Sequence, residues 1–155
     1  MAVSDRFNSM LSQALGVRGL RAAGRLSVPV YRLSGGRLLG RVSRAPVLLL
    51  TTTGRRSGVR RTAPVCYLRD GERLAVIGSN AGNATPPAWA LNLLAEPEAE
   101  VEIGRRRRAV RARVAEGEER ERLWRAMNDL YGGFDDYRER TTRDIRVFVL
   151  EPRGA

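Results

Sequence analysis

Between Thr51 and Pro64 the sequence reads TTTGRRSGVRRTAP, which sets Arg55, Arg56, Arg60 and Arg61 around Gly54 and Gly58 between two apolar runs. Like charges at that density raise the energy of a tight turn unless water solvates them or an anion sits among them. The residue types suit anion recognition. Guanidinium forks pair with phosphate or carboxylate, glycines let backbone N–H groups converge, and the hydroxyls of Thr51, Thr52, Thr53 and Ser57 add further partners. A solvated hairpin tip has the same composition, and the residues alone leave both readings open. A second small-polar stretch, GSNAGNATPPAW, begins at Gly78 and runs to Trp89. Gly78 and Gly82 would let its backbone lie flat against a planar ligand, and N–H groups at a helix start favour negative charge. An ordinary glycine loop is the alternative. Tyr131, Phe134 and Tyr137 straddle Gly132-Gly133 and read either as a pocket lining or as core.

What the chain lacks narrows the chemistry. Histidine is absent and Cys66 is the sole cysteine, which excludes Ser-His and Cys-His catalysis, zinc ribbons and histidine-ligated metals. No metal site is expected, and no side chain is assigned as a nucleophile or general acid or base. Cys66 alternates within a strand-like run and reads as a small buried residue. Neither a P-loop nor a G-x-G-x-x-G after a strand is present. The 28 basic residues outnumber 17 acidic ones, and all of them are arginine. Complete preference for arginine over lysine points to a GC-rich genome, so the net charge of +11 is partly codon bias. Bias does not explain a cluster within one turn. Zinc, RNP and helix-turn-helix signatures are absent and aromatic content is low, so a specific nucleic-acid partner is not expected.

These residues need a scaffold. Val47–Thr53, Thr62–Leu68 and Arg73–Gly78 read as three consecutive antiparallel strands, with Arg69–Glu72 as a hairpin turn. Thr85 stands at an N-cap position with Pro86 following, so a short helix bearing Trp89, Leu93 and Leu94 should begin there and stop near Pro97. Ala99–Ile103 and Ala109–Ala115 read as strands around Gly104 and the run Arg105–Arg108, whose charges would protect a solvated edge. Residues 118–131 read as a helix, with Leu123, Met127, Leu130 and Tyr131 as one stripe and Glu118/Arg122 and Glu121/Arg125 paired outside it. Gly132-Gly133 ends it, a short helix or ordered loop follows, and Ile145–Glu151 supplies a last strand. About six mostly antiparallel strands with two or three flanking helices make an α+β chain built on a small β-barrel.

The segments LLLTTTGRRSGVRRTAPV, LRDGERLAVIGSNAG, PPAWALNLLAEPEAEVEIG and LYGGFDDYRERTTRDIRVFVLEP together closely resemble the deazaflavin-dependent nitroreductase family, split-β-barrel oxidoreductases that use the coenzyme F420. The resemblance spans about residues 46–152. It implies a split barrel of the FMN-binding type. It also implies hydride transfer from the reduced deazaflavin to a quinone or nitro-type electrophile. By family position Arg56, Ser57 and Arg61 would meet the coenzyme's phosphate and oligoglutamate tail, with Thr53, Arg55, Arg60 and Pro64 nearby. The loop Gly78, Ser79, Asn80, Ala81 and Gly82 would lie along the ring. Trp89 would pack on the ring-binding wall and Asn92 would make a polar contact. Tyr131 and Tyr137 match the family's substrate pocket. Phe134 stands where some relatives have a third tyrosine, and Asn80 where many have a basic residue.

Three other readings come from different classes: an FMN-binding split-barrel oxidoreductase, a non-catalytic F420 carrier, and a basic nucleic-acid-binding module. Residues 46–155 are expected to form the coenzyme-binding domain and residues 1–45 a basic amphipathic segment. Residues 1–46 hold eight arginines against Asp5 alone among acidic residues. The apolar set Phe7, Met10, Leu11, Leu15, Leu20, Leu26, Val28, Val30, Leu33, Leu38 and Leu39 could rest on a bilayer while arginines meet anionic headgroups. A helix packed on the barrel is the alternative. The N-terminus lacks an uncharged apolar core of signal-peptide type. The expectation is a cytoplasmic protein, with the inner face of the cell membrane as a surface it could visit.

Overall fold

The run Val47-Leu48-Leu49-Leu50 puts apolar side chains on both faces of a strand, so each face must be covered. The computed structural model, which describes residues 26–42, 44–80 and 84–154, shows how. Helix α1 is described over residues 26–34, followed by β1 (Arg41–Val42), β2 (Ala45–Thr53), β3 (Arg60–Cys66), β4 (Leu68–Asp70) and β5 (Arg73–Ile77). Helix α2 (Ala88–Ala95), β6 (Glu98–Ile103), β7 (Arg106–Val114), α3 (Gly117–Tyr131), α4 (Phe134–Arg140) and β8 (Val147–Pro152) follow. Leu48 and Leu50 enter the interior core, where Val76, Val101, Phe148 and Leu150 meet Ala90 and Leu93 of α2. Val47 and Leu49 face outward and are covered by Tyr31 of α1. Across the molecule Leu123, Trp124 and Met127 of α3 cover the outer face of β5 and β8 through Ala75, Ile77, Val147 and Val149. Each fully buried Val, Leu, Ile, Phe or Met side chain among them contributes roughly 1.5–3 kcal/mol.

All the ladders are antiparallel, and followed from pair to pair they run β3-β2-β6-β7-β8-β5-β4, with β1 added beside β2. The ends of this path, β3 and β4, are consecutive in sequence and separated by Tyr67 alone. Among the described residues no ladder joins β3 to β4 or β5, so the barrel closes through a covalent crossover, a split β-barrel.

That crossover corrects the single strand expected over Thr62–Leu68. Tyr67 is buried, its side chain in the interior core and its N–H donating to the Pro46 carbonyl at 3.0 Å, while the chain changes partner from β2 to β5. Arg69 and Asp70 are therefore strand residues, and the turn shrinks to Gly71 (φ +64°) and Glu72. Arg106, Arg107 and Arg108 likewise lie within β7 and leave Gly104-Arg105 as the turn.

Helix α2 begins later than expected. Pro87, extended at φ −64° and ψ 149°, is its N-cap residue and makes no side-chain cap hydrogen bond. A residue before proline is pushed out of the helical region, so Pro86 cannot open a helix when Pro87 follows. In α3 the expected Glu118/Arg122 pair gives way to two hydrogen bonds of 3.1 Å from Arg122 to the Asp70 carboxylate. Two parallel bonds across the fold outweigh one exposed pair along the helix. Arg125 reaches the Glu121 backbone carbonyl, and the Glu121 carboxylate meets Arg120 and Arg138.

The described part of the N-terminal segment is tied to the barrel. Tyr31 is 2% exposed, and its hydroxyl donates to the Val47 carbonyl at 3.0 Å and accepts from the Gly104 N–H at 3.1 Å. Arg32 pairs at 3.1 Å with Glu102, whose carboxylate also lies 3.7 Å from Arg107. Val28 packs inward beside Tyr31, unlike the bilayer-facing role expected of it. Phe7, Met10, Leu11, Leu15 and Leu20 lie outside the described residues.

Candidate coenzyme and acceptor site

The arginine turn is built by its two glycines. The Gly54 N–H donates to the Val59 carbonyl and the Gly58 N–H to the Gly54 carbonyl, each at 2.8 Å. A Cβ at Gly54 would stand 2.6 Å from the Ser57 hydroxyl oxygen and 3.1 Å from the Val59 carbonyl, and Gly58 has φ +69°. The loop therefore folds tightly with Arg55, Arg56 and Ser57 at its tip. All four arginines are exposed, and none forms an ion pair among the described residues. Elsewhere the chain does pair its arginines, as with Arg113 to Glu119 and Glu151. The Ser57 hydroxyl accepts from the Val59 N–H at 3.2 Å, and Thr53 accepts from Arg60 at 3.3 Å.

Strand register divides the candidates, because directly opposed residues share a face. Arg61 stands opposite Thr52 and Arg60 opposite Thr53. Thr52 lies on the face covered by α2, where the buried Asn92 donates to its hydroxyl at 3.1 Å and accepts from the Arg55 N–H at 3.1 Å. Asn92 thus braces the turn from inside. Arg60, Thr62, Pro64 and Cys66 occupy the other face. There Thr62 and Thr51 share a hydrogen bond of 2.8 Å.

Helix α2 also meets the second loop. Gly78 sits so close to it that a Cβ would stand 3.3 Å from the Ala90 Cβ and 3.7 Å from Phe148. Trp89 packs edge-on against Phe148 with ring centroids 5.8 Å apart. The Gly78 N–H donates to the Arg146 carbonyl at 2.9 Å. Ser79 is buried, and Asn80 adopts φ +47° with its side-chain amide donating to the Thr85 carbonyl at 2.7 Å. Ala81 and Gly82 lie outside the described residues. Two segments about 20 residues apart in sequence are thus both held against α2.

The third group stands on the outer face. Tyr131 and Tyr137 hydroxyls are 2.6 Å apart, and Phe134 lies between their rings and Trp124, with centroids 5.0–6.1 Å apart. Tyr131 and Tyr137 are half-buried against the cluster that contains Ile77, the residue before Gly78. Phe134 is 5% exposed and belongs to the core. Burial raises the Tyr137 phenol above its ordinary pKa, against the lowering effect of its bond to Tyr131, and Cys66 is among the groups that add to the rise. The Cys66 thiol is itself pushed up to about 11 by burial, which makes it inert at neutral pH. Nothing in the local sequence marks Arg143, yet its guanidinium donates to the carbonyls of Gly78 at 3.2 Å and Ser79 at 2.6 Å.

Anion-seeking arginines, a braced loop and a tyrosine pair on one split barrel agree with what similar proteins are called. A sequence model of the F420H(2)-dependent quinone reductase family matches residues 23–152. The chain belongs to that family. Rv1261c of Mycobacterium tuberculosis, an F420H(2)-dependent quinone reductase, is 35% identical over 147 residues, covering 92% of this chain and 96% of its own. Rv3178 of the same species, 42% identical over 108 residues and covering 70% of this chain and 91% of its own, carries the same family name. The solved structure of the F420-H2 dependent reductase FDR-A superposes with a TM-score of 0.63 at 34% identity, covering 68% of this chain and 94% of its own. The family is one of oxidoreductases, and its coenzyme is F420.

The residues present fit that coenzyme. A phosphate followed by an oligoglutamate tail is a string of anions, and the turn offers four exposed guanidinium groups without carboxylate partners among the described residues. Among the described residues no cluster of side chains suits a metal ion, and no helix is long and apolar enough to cross a membrane.

Proposed function

We propose that this protein transfers a hydride from reduced F420 to a quinone. The observation that carries the reading is the arginine turn, whose charge no carboxylate among the described residues compensates, at a place braced by Asn92. Arg56 and Arg61, with Arg55 and Arg60 beside them, hold the phosphate and tail, and residues 78–80 line the ring. When bound, the reduced coenzyme supplies the hydride from its C5 carbon, so no side chain has to act as a nucleophile. The protein's part is alignment and exclusion of water. Tyr131 and Tyr137 form the wall of the acceptor pocket. The Tyr131 and Tyr137 hydroxyls, 2.6 Å apart, offer a hydrogen-bond donor to an acceptor oxygen. A nitro-type acceptor is the second substrate class, at which Phe134, buried and without a hydroxyl, offers no donor.

Anaerobic oxidation of reduced F420 by menadione, followed through recovery of the oxidised coenzyme's absorbance, tests this reading. Many turnovers per protein molecule are expected, with a nitroaromatic acceptor slower. A rate equal to the protein-free background contradicts it, and a single equivalent oxidised per protein would make the chain a carrier.

The acceptor's hydrophobicity bears on location. Leu26, Val30, Leu33, Leu38 and Leu39 are 40–83% exposed on α1 and the turn after it, with Arg37 and Arg41 also exposed. We propose a cytoplasmic protein whose N-terminal segment rests on an anionic bilayer where quinones dissolve. Deleting residues 1–44 would remove the buried Tyr31, so the test uses Leu33→Glu with Leu38→Glu. Sedimentation with anionic vesicles at low salt should be lost in the double variant, and a parent protein that stays in the supernatant rules the attachment out.

A further inference from the structure

A loop that lines a planar ring must present its donors in one fixed direction. In residues 78–80 several backbone groups are already committed. The Gly78 N–H is taken by the Arg146 carbonyl, the Gly78 and Ser79 carbonyls by Arg143, and the Asn80 side chain by the Thr85 carbonyl. The groups without a partner among the described residues are the Ser79 hydroxyl and the N–H groups of Ser79 and Asn80. Each of those N–H groups belongs to the same peptide unit as one of the two carbonyls held by Arg143. A cation on a carbonyl oxygen polarises the peptide and strengthens the N–H at its other end.

We infer that Arg143 is a positioning residue for the coenzyme: it fixes residues 78–80 through two carbonyls and so aims and strengthens the Ser79 and Asn80 N–H donors toward the ring. This rests on the reading that residues 78–80 line the ring. Arg143 comes from the segment that follows α4, so the same side chain links the helix bearing Tyr137 to the coenzyme loop. Its guanidinium is half-buried, and burial together with Arg146 lowers its pKa, as expected for a cation held among peptide dipoles rather than in water. The planar guanidinium presents two separate nitrogens in fixed geometry, one to each of the two successive carbonyls.

The test compares the parent with Arg143→Lys, which keeps the charge, Arg143→Gln, which keeps much of the shape, and Arg143→Ala. Fluorescence titration gives F420 affinity, the absorbance band of bound F420 reports the donors around the chromophore, and thermal unfolding without coenzyme reports folding. Affinity should fall about tenfold in the Ala and Gln variants and less in Lys. The band displacement seen in the parent should shrink in the order Arg, Lys, Gln, while the Michaelis constant for menadione stays within about twofold and turnover drops. If Arg143→Ala does not fold, the Lys and Gln pair carries the comparison. Parent-like affinity and band position in a folded Gln variant overturn the inference. A parent protein that leaves F420 fluorescence and absorbance unchanged instead overturns the ring-loop reading on which it rests.

Discussion

An exposed guanidinium is stabilised by water as well as by an anion, so Arg56 at the tip of the turn and Arg61 on the adjoining strand β3 carry the account at the residue scale. Each charge-assisted contact to the coenzyme contributes about 1.5–3 kcal/mol, and roughly 1.4 kcal/mol is tenfold in affinity. Arg56→Ala or Arg61→Ala should therefore weaken F420 binding about tenfold or more at physiological salt. Tyr131→Ala, which opens the acceptor wall, should change the Michaelis constant or turnover for menadione and leave that affinity nearly intact. One set of fluorescence titrations decides both. Parent-like affinity in the arginine variants removes the turn from the coenzyme site, and a large loss in Tyr131→Ala moves Tyr131 into it. The turn was legible in the sequence because Gly54, Gly58 and four arginines are adjacent. Arg143 was not, since its partners at Gly78 and Ser79 lie 64 residues or more away along the chain. Asn92 was legible as a polar contact, but its partners, Thr52 and the Arg55 N–H, belong to the protein itself.

At the scale of elements, helix α3 is fastened to the β4–β5 hairpin by Arg122 on Asp70, and to β7 by Arg113 on Glu119. Those hydrogen bonds hold both carboxyls below their ordinary pKa. A carboxyl lowered on folding contributes stability that is present above its unfolded pKa and lost as pH falls through the folded one. The thermal midpoint should be level above about pH 5 and decline from about pH 4 downward. Asp70→Asn with Glu119→Gln should lower the midpoint at neutral pH and make the acid decline shallower. A midpoint unchanged in the double variant at pH 7 contradicts this. The helix itself is legible in the sequence, whereas its periodicity points to ion pairs four residues apart within it. Periodicity marks which face of a helix is polar and is silent on which carboxylate the fold sets opposite that face. Strand alternation has the same limit: Val65 and Tyr67 both point into the core, so nothing in the pattern marked Tyr67 as the point where β3 ends and the barrel splits.

For the whole molecule, a net charge of +11 without lysine attracts any polyanion weakly, so binding that merely follows charge would not distinguish this site. What distinguishes it is arrangement: the arginine turn and the 78–80 loop are held against one helix, α2, and the tyrosine pair packs behind Ile77 on the outer face of β5. A ligand with a ring at one end and several anionic groups at the other matches that layout, whereas FMN carries a single phosphate. The most direct measurement is equilibrium titration of the full chain with F420 and with FMN in parallel at physiological salt. The account predicts saturable F420 binding at least tenfold tighter than FMN, and FMN affinity equal to or tighter than F420 would contradict it.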